Sequence, residues 1–222
     1  MTVRQVELAA TAFLPTQLLA DGQAQIAVIG RSNVGKSTLL NRLLRRRMAR
    51  SSSTPGKTLS VNYYRVNGSF HLVDLPGYGY ARTSQEERER AEGLLQAYFA
   101  AENGPRLVLL LVDSRRGLGP ADLEVLATLR EKRIPVLTVL TKSDKLSLPE
   151  LKNRLTQIEI THGIRVVPFS HHGETDGDAV WKRIAEIVRS DHVLTEDLAG
   201  HETRRIEKGG QGTQPRRKRN RR

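Results

Sequence analysis

Short apolar runs of strand length alternate along the chain with stretches whose apolar positions recur every three or four residues. The runs predict strands near 25–29, 59–66, 69–74, 106–112, 135–140 and 165–169. The helical period predicts helices near 36–47, 85–101, 120–132, 149–162 and 177–197. Asn67–Gly68 lies between two β-rich runs and reads as a tight hairpin, which makes the second and third of these strands antiparallel. The remaining connections pass through helices and should be right-handed and parallel. The expected architecture is α/β in three layers: a mixed, mostly parallel six-stranded sheet with helices on both faces. No internal repeat is visible.

Two segments break the pattern. Residues 45–60, RRRMARSSSTPGKTLS, carry serines, a Pro-Gly pair and basic residues, which read as a loop. GYGYARTSQEER, starting at Gly77, reads as a second. Residues 1–24 read as an N-terminal extension, 25–200 as one domain and 201–222 as a flexible basic tail. That tail holds nine Lys or Arg against two acids, so it supplies +7 of the net +12. The clustered Lys and Arg, ending in PRRKRNRR with nothing apolar to bury, favour a polyanion backbone, with little sequence choice and no DNA specificity. The absence of cysteine excludes disulfides and thiolate metal sites. The N-terminal residues lack the pattern of a secretory signal, and no run approaches the roughly 18 apolar residues of a membrane span. A soluble cytoplasmic protein, monomeric, is expected.

The candidate chemistry lies at strand ends. GRSNVGKS at 30–37 follows Ile26–Ala27–Val28–Ile29 and opens onto a helical pattern at Thr38. Gly30 and Gly35 allow a tight wrap that aims amides at a β-phosphate, and the helix N-terminus adds a favourable field. Lys36 should reach β- and γ-phosphate oxygens, and the Ser37 hydroxyl should ligate Mg²⁺. DLPG at 74–77 places Asp74 at a strand end, where its carboxylate can hold Mg²⁺ through a water. Gly77 can offer its N–H to the γ-phosphate, so that loss of this phosphate releases the loop. TKSD at 141–144 reads the base: Asp144 can accept two hydrogen bonds from guanine N1–H and N2, which adenine cannot supply. The stem of Lys142 can lie over the ring, and Thr141 can brace the loop. Thr58 or Thr54 would close over the metal. Ser170 is placed to meet guanine O6 through its backbone N–H.

GRSNVGKS, TPGKT, DLPGYGYA and LTKSDKL together resemble the EngB group, also called YihA or YsxC, of bacterial GTP-binding proteins. The resemblance spans roughly residues 13–197, and DLPGYGYA is its most specific string. It implies a P-loop GTPase fold and a GTPase that assists assembly of the large ribosomal subunit. The partners it implies are the subunit precursor and ribosomal RNA, and the group is associated with normal cell division and septation. By matched motif, Ser37 and Thr58 would be the Mg²⁺ ligands. The nucleotide, GTP or GDP, would be lined by Gly30, Arg31, Ser32, Asn33, Val34, Gly35, Lys36, Ser37 and Thr38. Lys57, Thr58, Leu59, Ser60, Val61, Asp74, Leu75, Pro76 and Gly77 would continue that lining. Thr141, Lys142, Ser143, Asp144, Phe169, Ser170 and His171 would complete it on the base side. The chain departs from the group in its first strand, GQAQIAVIG, in His171 at a position usually small, and in a longer basic tail.

Catalysis would fall to Lys36, Thr58, Gly77 and Asn33. Related GTPases carry a glutamine directly after the D-x-x-G glycine to orient the attacking water. Here that residue is Tyr78, which predicts slow intrinsic hydrolysis. Asn33 stands where some relatives bind K⁺ in place of an arginine finger, so K⁺ is a candidate second ion. The alternative is a nucleotide-gated RNA-binding placeholder whose hydrolysis is incidental.

Overall fold

Seven strands form a single mixed sheet in the computed structural model, which describes residues 2–49, 60–79, 84–102, 104–172 and 176–188. The strands are β1 (Val6–Ala12), β2 (Ala24–Gly30), β3 (Val61–Val66), β4 (Phe70–Asp74), β5 (Leu107–Asp113), β6 (Val136–Thr141) and β7 (Arg165–Phe169), in spatial order β1-β3-β4-β2-β5-β6-β7. β3 runs antiparallel to both neighbours, and every other pairing is parallel. The helices are α1 (Lys36–Leu44), α2 (Gln85–Ala100), α3 (Pro120–Glu131), α4 (Leu148–His162) and α5 (176–188). Met1–Ala185 make one unit and Glu186–Arg222 a second, of which only 186–188 are described, as the end of α5. Thr54, Lys57, Thr58, Leu59 and the tail at 201–222 lie outside the described residues.

The interior strand β5, LVLLLVD, is apolar up to its final Asp113 because both of its faces are covered. Ala27 and Ile29 of β2 share one cluster with Leu94 and Tyr98 of α2, Leu126 and Leu129 of α3 and Ile158 of α4. The opposite face receives α1, which buries Leu39, Leu40, Leu43 and Leu44 along one stripe. Trp181 of α5 joins this layer, donating its indole N–H to Leu43 O at 3.2 Å and meeting Phe70 edge-on. The three expected layers are therefore present.

The hairpin forms as its residues demand: Asn67 and Gly68 both have positive φ, 50° and 68°, matching the twist of the flanking strands. Asn67 does more than turn the chain. Its side-chain oxygen accepts from Arg4 N at 2.8 Å and Gln5 N at 3.1 Å, and so lays the N-terminal segment beside β3. This strand, β1, is the seventh, within the stretch read as an extension. VELAATA has no alternation strong enough to mark it, and its partner lies about fifty to sixty residues away. Helix α1 also ends three residues before the expected 47. Arg45 adopts the left-handed conformation at φ 52°, and the Asn41 side chain holds the following turn through Met48 N, Ala49 N and Ala49 O. Among the described residues no helix is long and apolar enough to cross a membrane.

Candidate functional site

The site is assembled at the C-terminal ends of the parallel strands, the usual location for ligands on such a sheet. β2 ends at Gly30, opposite Leu111 of β5. A Cβ at Gly30 would stand 2.9 Å from Leu111 Cβ, Leu111 O and Val34 Cγ1, so only glycine lets the loop leave the sheet here. The loop then reverses through Asn33 at φ 60° and Gly35 at φ 107° before α1 begins at Lys36. The first-turn amides of α1 have no carbonyl within the helix to receive them, which makes this end a ready anion cradle.

DLPG is laced to that loop by an extension of the β2–β4 ladder. Val28 pairs with Asp74, and Leu75 N donates to Val28 O at 3.1 Å. Tyr78 N donates to Gly30 O at 3.3 Å, and Ser32 N to Tyr78 O at 3.2 Å. Asp74 at the strand end forms an ion pair with Lys36 Nζ, both side chains being largely buried. The lysine expected on phosphate and the carboxylate expected beside the metal thus meet at one point. With Ser37 in the first helical turn, the donors there are hard oxygens, a set that suits Mg²⁺.

TKSD closes the base side. Thr141, buried, places its hydroxyl 2.7 Å from Val34 O and 3.2 Å from Val112 O, bracing the phosphate loop as anticipated. Lys142 takes the left-handed conformation at φ 57° and stretches back to donate to Asn33 O at 2.9 Å. Its other partner is Asp113 Oδ2 at 3.0 Å, a residue that spacing did not mark. Asp113 is also gripped by Arg115 at 2.9 and 2.6 Å, and these bonds, with that from Lys142, hold its carboxyl well below the usual range despite burial. Ser114 donates its hydroxyl to Lys142 O at 2.9 Å.

Burial disfavours the charged form of Asp144. Hydrogen bonds from Lys145, the Ser170 side chain and its own amide outweigh that and lower its pKa. The Ser170 side chain thus stands beside the carboxylate expected from the sequence to read the base. Its backbone N–H does not stand free for guanine O6, as expected from sequence, but donates to Asp176 Oδ2 at 2.5 Å at the start of α5. His171 is exposed, and its carbonyl accepts from Arg42 at 2.9 Å. Val61, Leu75 and Phe169 are core residues exposing at most 2%, so their side chains support the site and do not line it.

Tyr78 packs beside the phosphate loop, and its hydroxyl donates to Asp122 Oδ1 of α3 at 2.5 Å. Burial, followed by the Asp122 carboxylate, raises the phenol pKa far above its ordinary value, so the hydroxyl remains a donor. At the position of the absent glutamine stands a side chain already engaged elsewhere.

The family described as 50S ribosome-binding GTPase matches residues 25–142. A probable GTP-binding protein EngB from Kosmotoga olearia is 42% identical over 174 residues, covering 77% of this chain and 92% of that protein. The crystal structure of a probable GTP-binding protein EngB superposes with a TM-score of 0.63 at 26% identity, over 75% of this chain and all of that one. Era, solved with MgGDPNP and nucleotides 1506–1542 of 16S ribosomal RNA, shares the fold at a TM-score of 0.59 and 24% identity, over 74% of this chain and 56% of that one. The phosphate loop, DLPG and TKSD meet around one strand-end site, and the similarity spans most of the chain: it belongs to the EngB family of GTP-binding proteins, a GTPase of the P-loop fold.

Proposed function

We propose that this GTPase is a slow guanine-nucleotide switch acting in assembly of the large ribosomal subunit, and through it in normal cell division and septation. The observation that carries the switch is the lacing of the DLPG segment to the phosphate loop at Leu75, Tyr78 and Ser32. A change at the terminal phosphate would then reach the loop surface directly. The ribosomal role is supported by the matched family's description and by the excess of basic residues, +12 overall. The partners are then the subunit precursor and its RNA, in the cytoplasm, met by a monomer.

In this reading Ser37, Thr58 and, through a water, Asp74 would hold Mg²⁺, which would supply charge neutralisation at the phosphates when bound. Lys36 exchanges its Asp74 partner for phosphate oxygens. Gly77 senses the γ-phosphate through its N–H, and Asp144 selects guanine. Asn33, exposed with its carbonyl held by Lys142, is the residue for a K⁺ ion at the phosphates. Turnover in KCl should exceed that in NaCl at least tenfold, a smaller gain than the roughly 10³–10⁵ that an arginine finger supplies; equal rates would remove K⁺ from the mechanism.

Sedimentation tests the function. Large-subunit precursors should carry the protein with a non-hydrolysable GTP analogue and release it with GDP. Removing residues 202–222 should weaken that association and reduce its salt dependence. Nucleotide-independent sedimentation would refute the switch, and an unchanged salt slope would refute the tail's role.

A further inference from the structure

The geometry points to Asp122 of α3 as a positioning residue for γ-phosphate recognition, acting through its hydrogen bond to Tyr78. Asp122 is 2% exposed, and its two oxygens have separate duties. Oδ2 accepts from Gly119 N at 2.7 Å and caps α3, while Oδ1 accepts from the Tyr78 hydroxyl at 2.5 Å. Capping needs only one oxygen, so the second is available for the loop. Tyr78 is bonded at its other end as well: its amide and carbonyl are both tied to the phosphate loop, at Gly30 O and Ser32 N. The residue next to Gly77 therefore bridges the phosphate loop to α3, and the Arg31 side chain packs close to both Gly79 and Gly119 along the same seam.

A cavity of about 250 Å³ lies between Gly77, Tyr78 and Gly79 and the face of α2 formed by Arg88, Ala91, Glu92 and Leu95. With space there, the loop has room to swing once the phenol is released. The bond to Asp122 restrains that swing and keeps the Gly77 amide beside the phosphate cradle. It also removes the Tyr78 hydroxyl from the water-orienting position, in keeping with slow hydrolysis. This inference rests on the reading of Gly77 as the γ-phosphate sensor, and its test separates the two.

Dissociation constants for GDP and for a non-hydrolysable GTP analogue should be measured on the full chain and its variants. Tyr78→Phe keeps the ring and deletes only the hydroxyl. It should lower analogue affinity about five- to tenfold, within the usual span of coupling between linked sites, and leave GDP affinity within about twofold. Asp122→Ala should give the same ratio, and the double variant should go no lower, because both changes break one bond. Asp122→Asn retains an acceptor for Gly119 and offers Tyr78 an N–H that its phenol oxygen can accept, a reversed bond across the same bridge, and should restore most of the native ratio. Gly77→Ala is the control for the underlying reading. If it lowers the ratio while Tyr78→Phe does not, the bridge is overturned and the sensor stands. If Gly77→Ala leaves the ratio unchanged, the sensor reading itself falls. Additive losses in the double variant would overturn the bridge as well, and Tyr78→Phe decides the matter alone should Asp122→Ala not fold.

Discussion

Replacing Gly30 with alanine is expected to destabilise the protein by about 3 kcal/mol, at the upper end of ordinary overpacking costs. A Cβ there would meet three atoms at 2.9 Å, a separation that real side chains do not tolerate. Two of them cannot move cheaply. Leu111 O and Leu111 Cβ belong to the interior strand β5, fixed on one side by β2 and on the other by β6. The third, Val34 Cγ1, is buried in the phosphate loop, whose carbonyl at Val34 is held by Thr141. Relief therefore has to come from pushing β2 and its loop away from β5, which disturbs the nucleotide site along with the core. For a chain of this size the melting temperature should fall by roughly 6–12 °C. GDP affinity should fall with it. Thermal unfolding with and without GDP checks both, and a variant melting within about 1 °C of the native protein would show that the sheet yields at Gly30.

Which parts of this molecule could be read in the sequence follows from how local each cause is. The phosphate loop, DLPG and TKSD are short strings whose chemistry needs particular atoms at fixed spacing, so they were legible without a structure. The hairpin was legible for the same reason: positive φ at two successive positions selects Asn67–Gly68. β1 was not, since an Ala-rich strand becomes one only through its distant partner β3. The end of α1 was hidden because Arg45–Arg47 do not forbid a helix; the Asn41 side chain, bonding to Met48 and Ala49, ends it.

The supporting residues of the site were hidden by distance along the chain. Asp113 and Lys142 are separated by 29 residues, and Tyr78 and Asp122 by 44. No spacing rule connects them, because the sheet order and the helix caps bring them together. Asp113 ends an apolar strand as Asp74 does, and that parallel is the one signal that could have drawn attention to it. Ser170 shows the converse. Its position after β7 was legible, but the direction of its amide was settled by Asp176.

Replacing Asp144 with asparagine is expected to lower GTP affinity by about 10²–10³-fold and to raise affinity for xanthosine triphosphate. The native carboxylate has only acceptors to offer, matched to the N1–H and N2 amino donors of guanine. Two hydrogen bonds to a charged group, worth about 1.5–3 kcal/mol each, account for a loss of that size. Asparagine turns one acceptor into a donor, which opposes the guanine amino group and complements the carbonyl that xanthine carries in its place. The native contact also has a defined pH dependence. Because the hydrogen bonds from Lys145 and Ser170 lower the Asp144 pKa against the effect of burial, the carboxylate stays ionised as the pH falls into the ordinary carboxylate range. Guanine affinity should therefore hold at mildly acidic pH and decline only below that range. Ser170→Ala should move the decline upward, since it removes one of the bonds that stabilise the charged form. Titrations with GTP and xanthosine triphosphate across pH test the assignment. Equal losses for both nucleotides in Asp144→Asn would mean that the residue supports the loop without reading the base.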